Sequence, residues 1–285
     1  MRVNARMTVL AAGAAISAAG LLVACGDDDN PSPSSLAITA KDAGKGSYAL
    51  DAPADATGGL TEVTLTNDTK APQLAQLILL EDDHTLDEAL EVISSEGEEI
   101  PDWLHAEGGV GTIAPGETAS STVNLPEGQY AIVDDAENGS RQPATAELSV
   151  SGGEEGDLPD TDATVTASEV GEDKYAWEIS GLTAGENTLT FNSEGEEALH
   201  HIVLAPIVGD ATIDDVKNDL ESRREAKSID FENSVDTAVI DGEKSEVIQL
   251  NLEAGRYAAI CFLPDRDEPD KPHFEEGLLD EVEVK

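Results

Sequence analysis

Alternation of polar and apolar side chains predicts β-strands along most of the chain. Residues Thr61–Thr66 and Glu246–Leu252 alternate with a period of two, and Gly, Asn or Asp turn residues adjoin both segments. Residues 201–208 (HIVLAPIV) form a denser apolar run, which predicts a strand buried on both faces. These patterns indicate an all-β chain with seven or so short strands in each half.

One helix interrupts the strand pattern in each half. Thr85 begins the first helix in a sequence typical of a capping box, and Thr212 begins the second in the same way. The spacing predicts inward-facing apolar residues: Leu86, Ala89, Leu90 and Ile93 in the first helix, and Ile213, Val216 and Leu220 in the second. We expect a short amphipathic helix inserted between strands in both halves.

A constant sequence shift indicates an internal repeat. Ile38-Thr39-Ala40 recurs 127 positions later as Val165-Thr166-Ala167, and the same shift relates Gly128-x-Tyr130 to Gly255-x-Tyr257. We therefore predict two tandem Greek-key β-sandwich domains, each with one inserted short helix. The predicted domains span 36–150 and 161–285, and 151–160 (SGGEEGDLPD) is a Gly- and acid-rich linker.

The first 25 residues are typical of an export signal. Arg2 and Arg6 precede an apolar stretch of small residues that ends in Leu22-Val23-Ala24-Cys25, and an acidic run follows it. This tetrapeptide resembles the bacterial lipobox, which implies that Cys25 carries the lipid and that residues 26–35 form a polar stalk. We expect a lipid-anchored protein on the extracytoplasmic face of the cell membrane. Plain secretion and a single membrane anchor are the alternatives.

The charge is strongly acidic. Without the signal the chain has 14 basic and 60 acidic residues, a net charge of −46, which disfavours nucleic acid as a partner. Adaptation of the surface to salt explains this acidity, and an acidic docking face for a partner protein is the alternative.

A thiol and several imidazoles are the candidate metal ligands. If Cys25 is acylated, Cys261 has no partner for a disulfide in an oxidising compartment, so it is buried, paired between chains or bound to a metal. His273 follows Cys261 after a loop of eleven residues, and His200 with His201 begins the apolar run. One thiolate and two neutral imidazoles suit copper.

The second domain resembles the blue-copper cupredoxin family through the G-x-Y-x-x-x-C strand and the following H-x-x-x-G segment. The resemblance implies one copper ion held by Cys261, His273 and His200, with His201 as the alternative to His200. It places Leu278 at the position of the usual axial methionine, so Leu278 is not a ligand. It also implies that His273 is the edge where electrons pass. The long Cys-to-His loop departs from the family, and its acidic residues predict a solvated loop.

The first domain lacks these ligands. At the constant shift, Asp134 corresponds to Cys261 and Ala146 to His273, and Gln73–Gln76 has no histidine where His200 falls. His84 and His105 lie beside the helix and are predicted to be surface residues. Spacing, partner docking or dimer contact is the expected role of this domain.

These observations favour a membrane-tethered type 1 copper protein that transfers electrons to a partner not identified by the sequence. The alternatives are a metal-free β-sandwich lipoprotein that acts as an interaction module, or copper delivery and sequestration. No nucleophile-elbow or nucleotide-binding motif occurs, and five histidines are too few for further copper centres, so we expect the chain not to be an enzyme.

Overall fold

The computed structural model describes residues 30–95, 99–136, 142–171, 174–195, 198–222, 226–266 and 268–285. The predicted signal segment and Cys25 lie outside these residues, so the lipid anchor stays a prediction. None of the helices within the described part of the chain has the length and apolar character needed to cross a bilayer.

Strands dominate both halves, as the alternating pattern predicts. The first half contains β1 (Ser34–Gly44), β2 (Ser47–Asp51), β3 (Asp55–Thr57), β4 (Gly59–Asn67), β5 (Gln73–Leu80), α1 (Leu86–Ser94), β6 (Leu104–Ile113), β7 (Thr118–Leu125), β8 (Gly128–Asp134) and β9 (Ala144–Ser151). The second half contains β10 (Ala163–Gly171), β11 (Lys174–Ser180), β12 (Gly185–Ser193), β13 (Leu199–His200), β14 (Val203–Pro206), α2 (Ile213–Glu221), β15 (Val235–Asp236), β16 (Ile240–Asp241), β17 (Ser245–Leu252), β18 (Gly255–Ile260), α3 (His273–Glu276) and β19 (Leu279–Val284). The chain is mostly β.

Both predicted helices begin at the predicted residues. The hydroxyl of Thr85 accepts the amide hydrogen of Glu88, whose carboxylate accepts the Thr85 amide in return, and Thr212 and Asp215 form the same box. Ala89 is fully buried in α1, but Ile93 is exposed, so the prediction that Ile93 faces inward is wrong. Ile93 lies in the last turn of α1, which ends at Ser94, and this turn extends past the residues that pack against the sheet.

The described strands form three sheets, and two of them span both halves, the seven-stranded sheet through antiparallel pairing of Ile240 with Glu107. The eight-stranded sheet has the order β11-β10-β12-β17-β7-β4-β1-β2, and antiparallel pairing of Val247 with Thr122 joins its halves. A seven-stranded sheet (β13-β16-β6-β5-β8-β9-β3) and a four-stranded sheet (β15-β14-β18-β19) cover it. Pro31–Lys285 form one compact unit, so a division into two domains with Greek-key order stays a prediction.

Two apolar cores lie between these sheets. In the first half, Leu36 and Val63 of the eight-stranded sheet meet Leu77 and Ile132 of the seven-stranded sheet. In the second half, Leu189 and its neighbours pack against the four-stranded sheet. This second core also contains Cys261 and Leu278. The candidate thiol therefore lies inside a core rather than in a surface cleft.

The repeated G-x-Y motif forms the same tyrosine hydrogen bond in both halves. Tyr130 donates its hydroxyl hydrogen to the carbonyl of Pro126 at 2.9 Å, and Tyr257 donates to the carbonyl of Glu253 at 3.1 Å. Each tyrosine buries its ring and satisfies its hydroxyl four residues earlier, at the turn that leads into its strand. The motif thereby fixes the start of β8 and of β18, and β18 leads to Cys261.

Polar side chains join the two halves. Gln76 exchanges two hydrogen bonds with the backbone of Val239, at 2.9 and 2.7 Å, and Asp236 accepts a hydrogen bond from the Thr112 hydroxyl at 2.9 Å. Lys244 forms an ion pair with the buried Glu107. Because buried polar groups cost free energy unless they are paired, these bonds make the arrangement of the halves specific.

Glu246 is the exception at this contact, and it predicts a pH dependence. It is fully buried, one carboxylate oxygen accepts only a 3.3 Å hydrogen bond from the Gly109 amide, and the other oxygen has no partner. Burial raises the pKa of Glu246 to about 8. The folded state therefore holds a proton that the unfolded chain releases above its ordinary pKa, and folding stability falls as the pH rises toward 8.

We expect Glu246→Gln to remove this part of the pH dependence. The native protein should lose on the order of 1 kcal/mol of unfolding free energy per pH unit, relative to the variant, between about pH 5 and 8. Urea unfolding of both proteins at several pH values measures this difference, and other buried carboxyls such as Asp134 cancel in the comparison. Parallel pH profiles for the two proteins would contradict the assignment.

Candidate metal centre

Cys261 lies at the end of β18, held on both sides by backbone hydrogen bonds. Its amide donates to the Leu278 carbonyl at 3.1 Å, and its carbonyl accepts the Phe274 amide at 3.0 Å. The side chain is fully buried, and burial raises the pKa of the Cys261 thiol to about 12. The metal-free protein therefore holds a neutral thiol, and a metal that binds here must displace its proton.

His273 reaches the sulfur from the start of α3. Its amide donates to the Leu263 carbonyl at 2.8 Å, which folds the end of the loop back onto the residues after Cys261. Its Nδ1 then lies 3.6 Å from the Cys261 sulfur. Metal–sulfur and metal–nitrogen bonds of about 2.3 and 2.0 Å, the zinc values, place two such ligands about 3.7 Å apart at a trigonal angle. The observed separation fits two ligands of one ion.

His200 lies at the end of β13 beside the ring of His273. The two ring centroids are 4.7 Å apart, and His200 is fully buried. Its Nδ1 lies 2.9 Å from the Ser193 hydroxyl, whereas its Nε2 has no hydrogen-bond partner. Burial and the neighbouring His273 lower the pKa of His200 to about 3, so the ring is neutral at physiological pH and able to bind a metal.

His201 has a different position from its neighbour. Its Nε2 accepts the Phe262 amide hydrogen at 3.2 Å, and its ring lies edge-on to the Phe262 ring. This bond connects the His200–His201 segment to the residue after Cys261. His201 therefore stabilises the chain next to Cys261. Its Nε2 accepts the Phe262 amide hydrogen and would have to lose this bond to bind a metal.

Leu278 and Tyr175 enclose the site. Leu278 is fully buried in the same core as Cys261 and offers only hydrocarbon. The Tyr175 ring packs against both imidazoles, with centroids 4.9 Å from His200 and 4.6 Å from His273. No motif in the sequence marked Tyr175 as a site residue, so its place beside the two imidazoles was not predicted.

The loop between Cys261 and His273 is partly buried, which corrects the prediction of a solvated loop. Asp265 and Arg266 are each less than a tenth exposed. One oxygen of Asp265 accepts hydrogen bonds from Nε2 of His273 at 2.9 Å and from the Tyr175 hydroxyl at 2.7 Å. Burial acts to raise the pKa of Asp265, but these two hydrogen bonds and the electrostatic interactions with His273 and His200 together lower that pKa. Asp265 is therefore a buried carboxylate that the sequence reasoning did not identify.

The same contact corrects the role expected for the His273 edge. The family resemblance implies a solvent-facing loop histidine, but His273 is fully buried and Asp265 covers its outer nitrogen. Phe262, which follows Cys261, instead contacts the exposed Phe231, with ring centroids 6.1 Å apart. Phe262 and Phe231 therefore connect the residue next to Cys261 with the surface of the protein.

Arg266 connects the loop to the first half. Its guanidinium donates to Asp241 at 2.8 Å and to the carbonyl of Pro101 at 3.1 Å. Asp241 also lies 3.0 Å from Nδ1 of His105, and this hydrogen bond raises the pKa of His105. The prediction that His105 is a plain surface residue is wrong, because β6 places it at the contact between the halves. His84 is half-buried and stacks on Trp103.

The corresponding position in the first half has no metal-binding set among the described residues. Asp134 is buried at the end of β8, where Cys261 follows β18, and burial raises its pKa to about 6. The proposed match of His273 with Ala146 is wrong. Pairing of Gly128 with Val150 and of Gly255 with Val284 shows that the last strands lie 134 positions apart. The 127-residue shift holds as far as Cys261. Beyond it the shift is 134, because the loop between β18 and β19 is seven residues longer than the segment between β8 and β9.

A set of three ligand atoms, all within 4.8 Å of one another, occurs among the described residues at Asp265, His273 and Glu276. Glu276 is occupied by an ion pair with Lys271. The ligand atoms of Cys261, His200 and His273 are not all within that distance. Binding one ion through these three side chains therefore requires a shift of a ring, and His200, with one unbonded nitrogen, has the fewest bonds to break.

Comparisons with known proteins find similarity in structure but not in sequence. No protein-family profile matches the chain, and no curated protein matches it. A reduced auracyanin from Roseiflexus castenholzii aligns with a TM-score of 0.28 at 19% identity, over 41% of this chain and 96% of its own. A copper nitrite reductase from Nitrosomonas europaea aligns with a TM-score of 0.23 at 14% identity, over 88% of this chain and 93% of its own. A multicopper oxidase aligns with a TM-score of 0.23 at 13% identity over 88% of both chains.

The prediction that this chain is not an enzyme is contradicted by these matches, because copper oxidoreductases are among the structures that align over most of it. The small number of histidines is therefore no ground for excluding catalysis. At these TM-scores the alignments assign no activity to the chain.

The Arg266 contact leads to a stability prediction. We expect Arg266→Ala to cost about 3–5 kcal/mol of unfolding free energy, because it leaves the Asp241 carboxylate without its strongest partner in a buried position. Lys41→Ala is the control, since it removes an ion pair with Asp51 that is exposed on both sides and should cost less than about 1 kcal/mol. Urea unfolding of the metal-free variants measures both, and similar small losses would show that the loop is not anchored through Arg266.

Proposed function

We propose that this chain is an exported, lipid-anchored copper protein whose second half binds one copper ion for electron transfer at the extracytoplasmic face of the membrane. The observation that carries the proposal is the 3.6 Å separation of the Cys261 sulfur and His273 Nδ1 inside a core that also buries His200. The auracyanin and copper-enzyme neighbours agree with a copper protein. The signal-like first 25 residues and Cys25 support the location.

The proposed ligands are Cys261, His273 and His200. Copper held by them would supply a one-electron couple between its two oxidation states. The protein's own contribution is a buried site, in which Tyr175 and Leu278 exclude water and two backbone hydrogen bonds fix Cys261. His201 keeps the cysteine strand against the strand that carries His200. A site that is held in place from several sides limits movement between oxidation states.

One observation favours a metal-free interaction module as the second candidate. In the metal-free chain, Nδ1 of His273 faces the thiol, Nε2 of His273 is bonded to Asp265, and Nδ1 of His200 is bonded to Ser193. A buried network that is nearly complete without an ion could be purely structural. The unbonded Nε2 of His200 is the atom that this alternative leaves unexplained.

Copper titration of residues 30–285, prepared without the lipid, tests the proposal. We expect one equivalent of Cu(II) to give an intense visible charge-transfer band that requires a thiolate ligand. Cys261→Ser should abolish the band, because serine supplies no sulfur, and His200→Ala should weaken copper binding. His84→Ala is the matched control, since His84 stacks on Trp103 in the first half and should leave the spectrum unchanged.

The outcomes separate the candidate functions. Absence of both a band and bound metal in the folded native protein would reject the copper proposal and leave the interaction module. Colourless Cu(I) binding that a competing chelator readily reverses would point to copper delivery or sequestration in place of electron transfer.

A further inference from the structure

We propose that Asp265 is a positioning residue of the copper centre, holding His273 by its outer nitrogen and placing a negative charge directly behind that ligand. The inference rests on the function proposed above. It assigns to the long loop after Cys261 a role in setting how strongly the site favours Cu(II) over Cu(I).

The geometry fixes the orientation of the imidazole. Nε2 of His273 lies 2.9 Å from an oxygen of Asp265, which can only accept a hydrogen bond as a carboxylate. Nε2 must therefore carry the hydrogen, and in the neutral ring Nδ1, the nitrogen facing Cys261, then has its lone pair free. The Tyr175 hydroxyl donates to the same oxygen at 2.7 Å and holds the carboxylate in place.

The length of the loop makes this contact possible. Asp265 lies four residues after Cys261 and eight before His273, and bridge pairing of Pro264 with Pro272 closes the loop so that Asp265 folds inward. The next residue, Arg266, is bonded to Asp241 and Pro101, which fixes the loop from its outer side. Asp265 is thus held by side chains on β11 and α3 and not by the metal.

The charge has a definite consequence. A buried carboxylate bonded to a ligand histidine makes that ligand a better electron donor and attracts the more highly charged ion more strongly. Asp265 therefore stabilises Cu(II) relative to Cu(I). Its effect opposes that of Leu278, since the lack of an axial ligand there favours Cu(I).

The substitution Asp265→Asn tests the charge while keeping the size of the side chain and an oxygen acceptor. We expect the affinity for Cu(II) to fall about 10- to 100-fold, with a smaller change for Cu(I), and hence a more positive reduction potential. Asp270→Asn removes the same charge from an exposed position in the same loop and should change the ratio of the affinities about twofold or less. Tyr175→Phe keeps the carboxylate but loosens it, and it should shift the potential less than Asp265→Asn.

A second readout does not need copper. In the metal-free native protein, nitrogen NMR of His273 should show the hydrogen on Nε2, and Asp265→Ala should shift the population toward the other tautomer. Failure of the native protein to bind copper would reject the proposed function. The NMR comparison would still test whether Asp265 positions His273, because it uses the metal-free protein. Unchanged affinity ratios in Asp265→Asn, or an unchanged tautomer in Asp265→Ala, would overturn the inference.

Discussion

The candidate site depends on burying a thiol and two imidazoles together in an apolar core. Each of these groups loses its contact with water, and the free energy of desolvation is acceptable only if each finds a partner. Cys261 and His273 face one another, Asp265 accepts from the far side of His273, and Ser193 lies against His200. Desolvation keeps the thiol and His200 neutral, and one buried sulfur with two imidazole donors is a combination that suits copper.

Contacts between the two halves begin at the loop that carries Asp265. The buried loop that carries Asp265 also carries Arg266, which bonds to Asp241 and to the first half, and Asp241 in turn contacts His105. The first half lacks the candidate ligands among its described residues, yet its Pro101 carbonyl helps to hold the loop between Cys261 and His273. The eight-stranded sheet adds a continuous backbone connection. The first half therefore supports the second half through these contacts, a role beyond the spacing expected from the sequence.

The repeat explains why one half can differ from the other in chemistry while sharing its frame. Both halves keep the capped helix, the buried tyrosine at the turn and the same order of main strands. The difference is concentrated after β8 and β18, where Asp134 replaces the cysteine and the second half gains seven residues. Insertion in a loop leaves strand pairing intact, so the core tolerates it.

Local patterns along the chain determined the strands, both capped helices and the grouping of Cys261, His200 and His273 as candidates. These features follow from side-chain periodicity and from hydrogen bonds between residues three or four apart, which a sequence displays directly. Tertiary structure alone decided that His200 lies against His273 while His201 bonds to the Phe262 amide, that Asp265 and Tyr175 contact His273, and that His105 meets Asp241. Most of those contacts join residues separated by tens of positions, up to 136 for His105 and Asp241. Asp265 lies only eight residues from His273, but an acidic loop carries no local signal for which of its carboxylates folds inward.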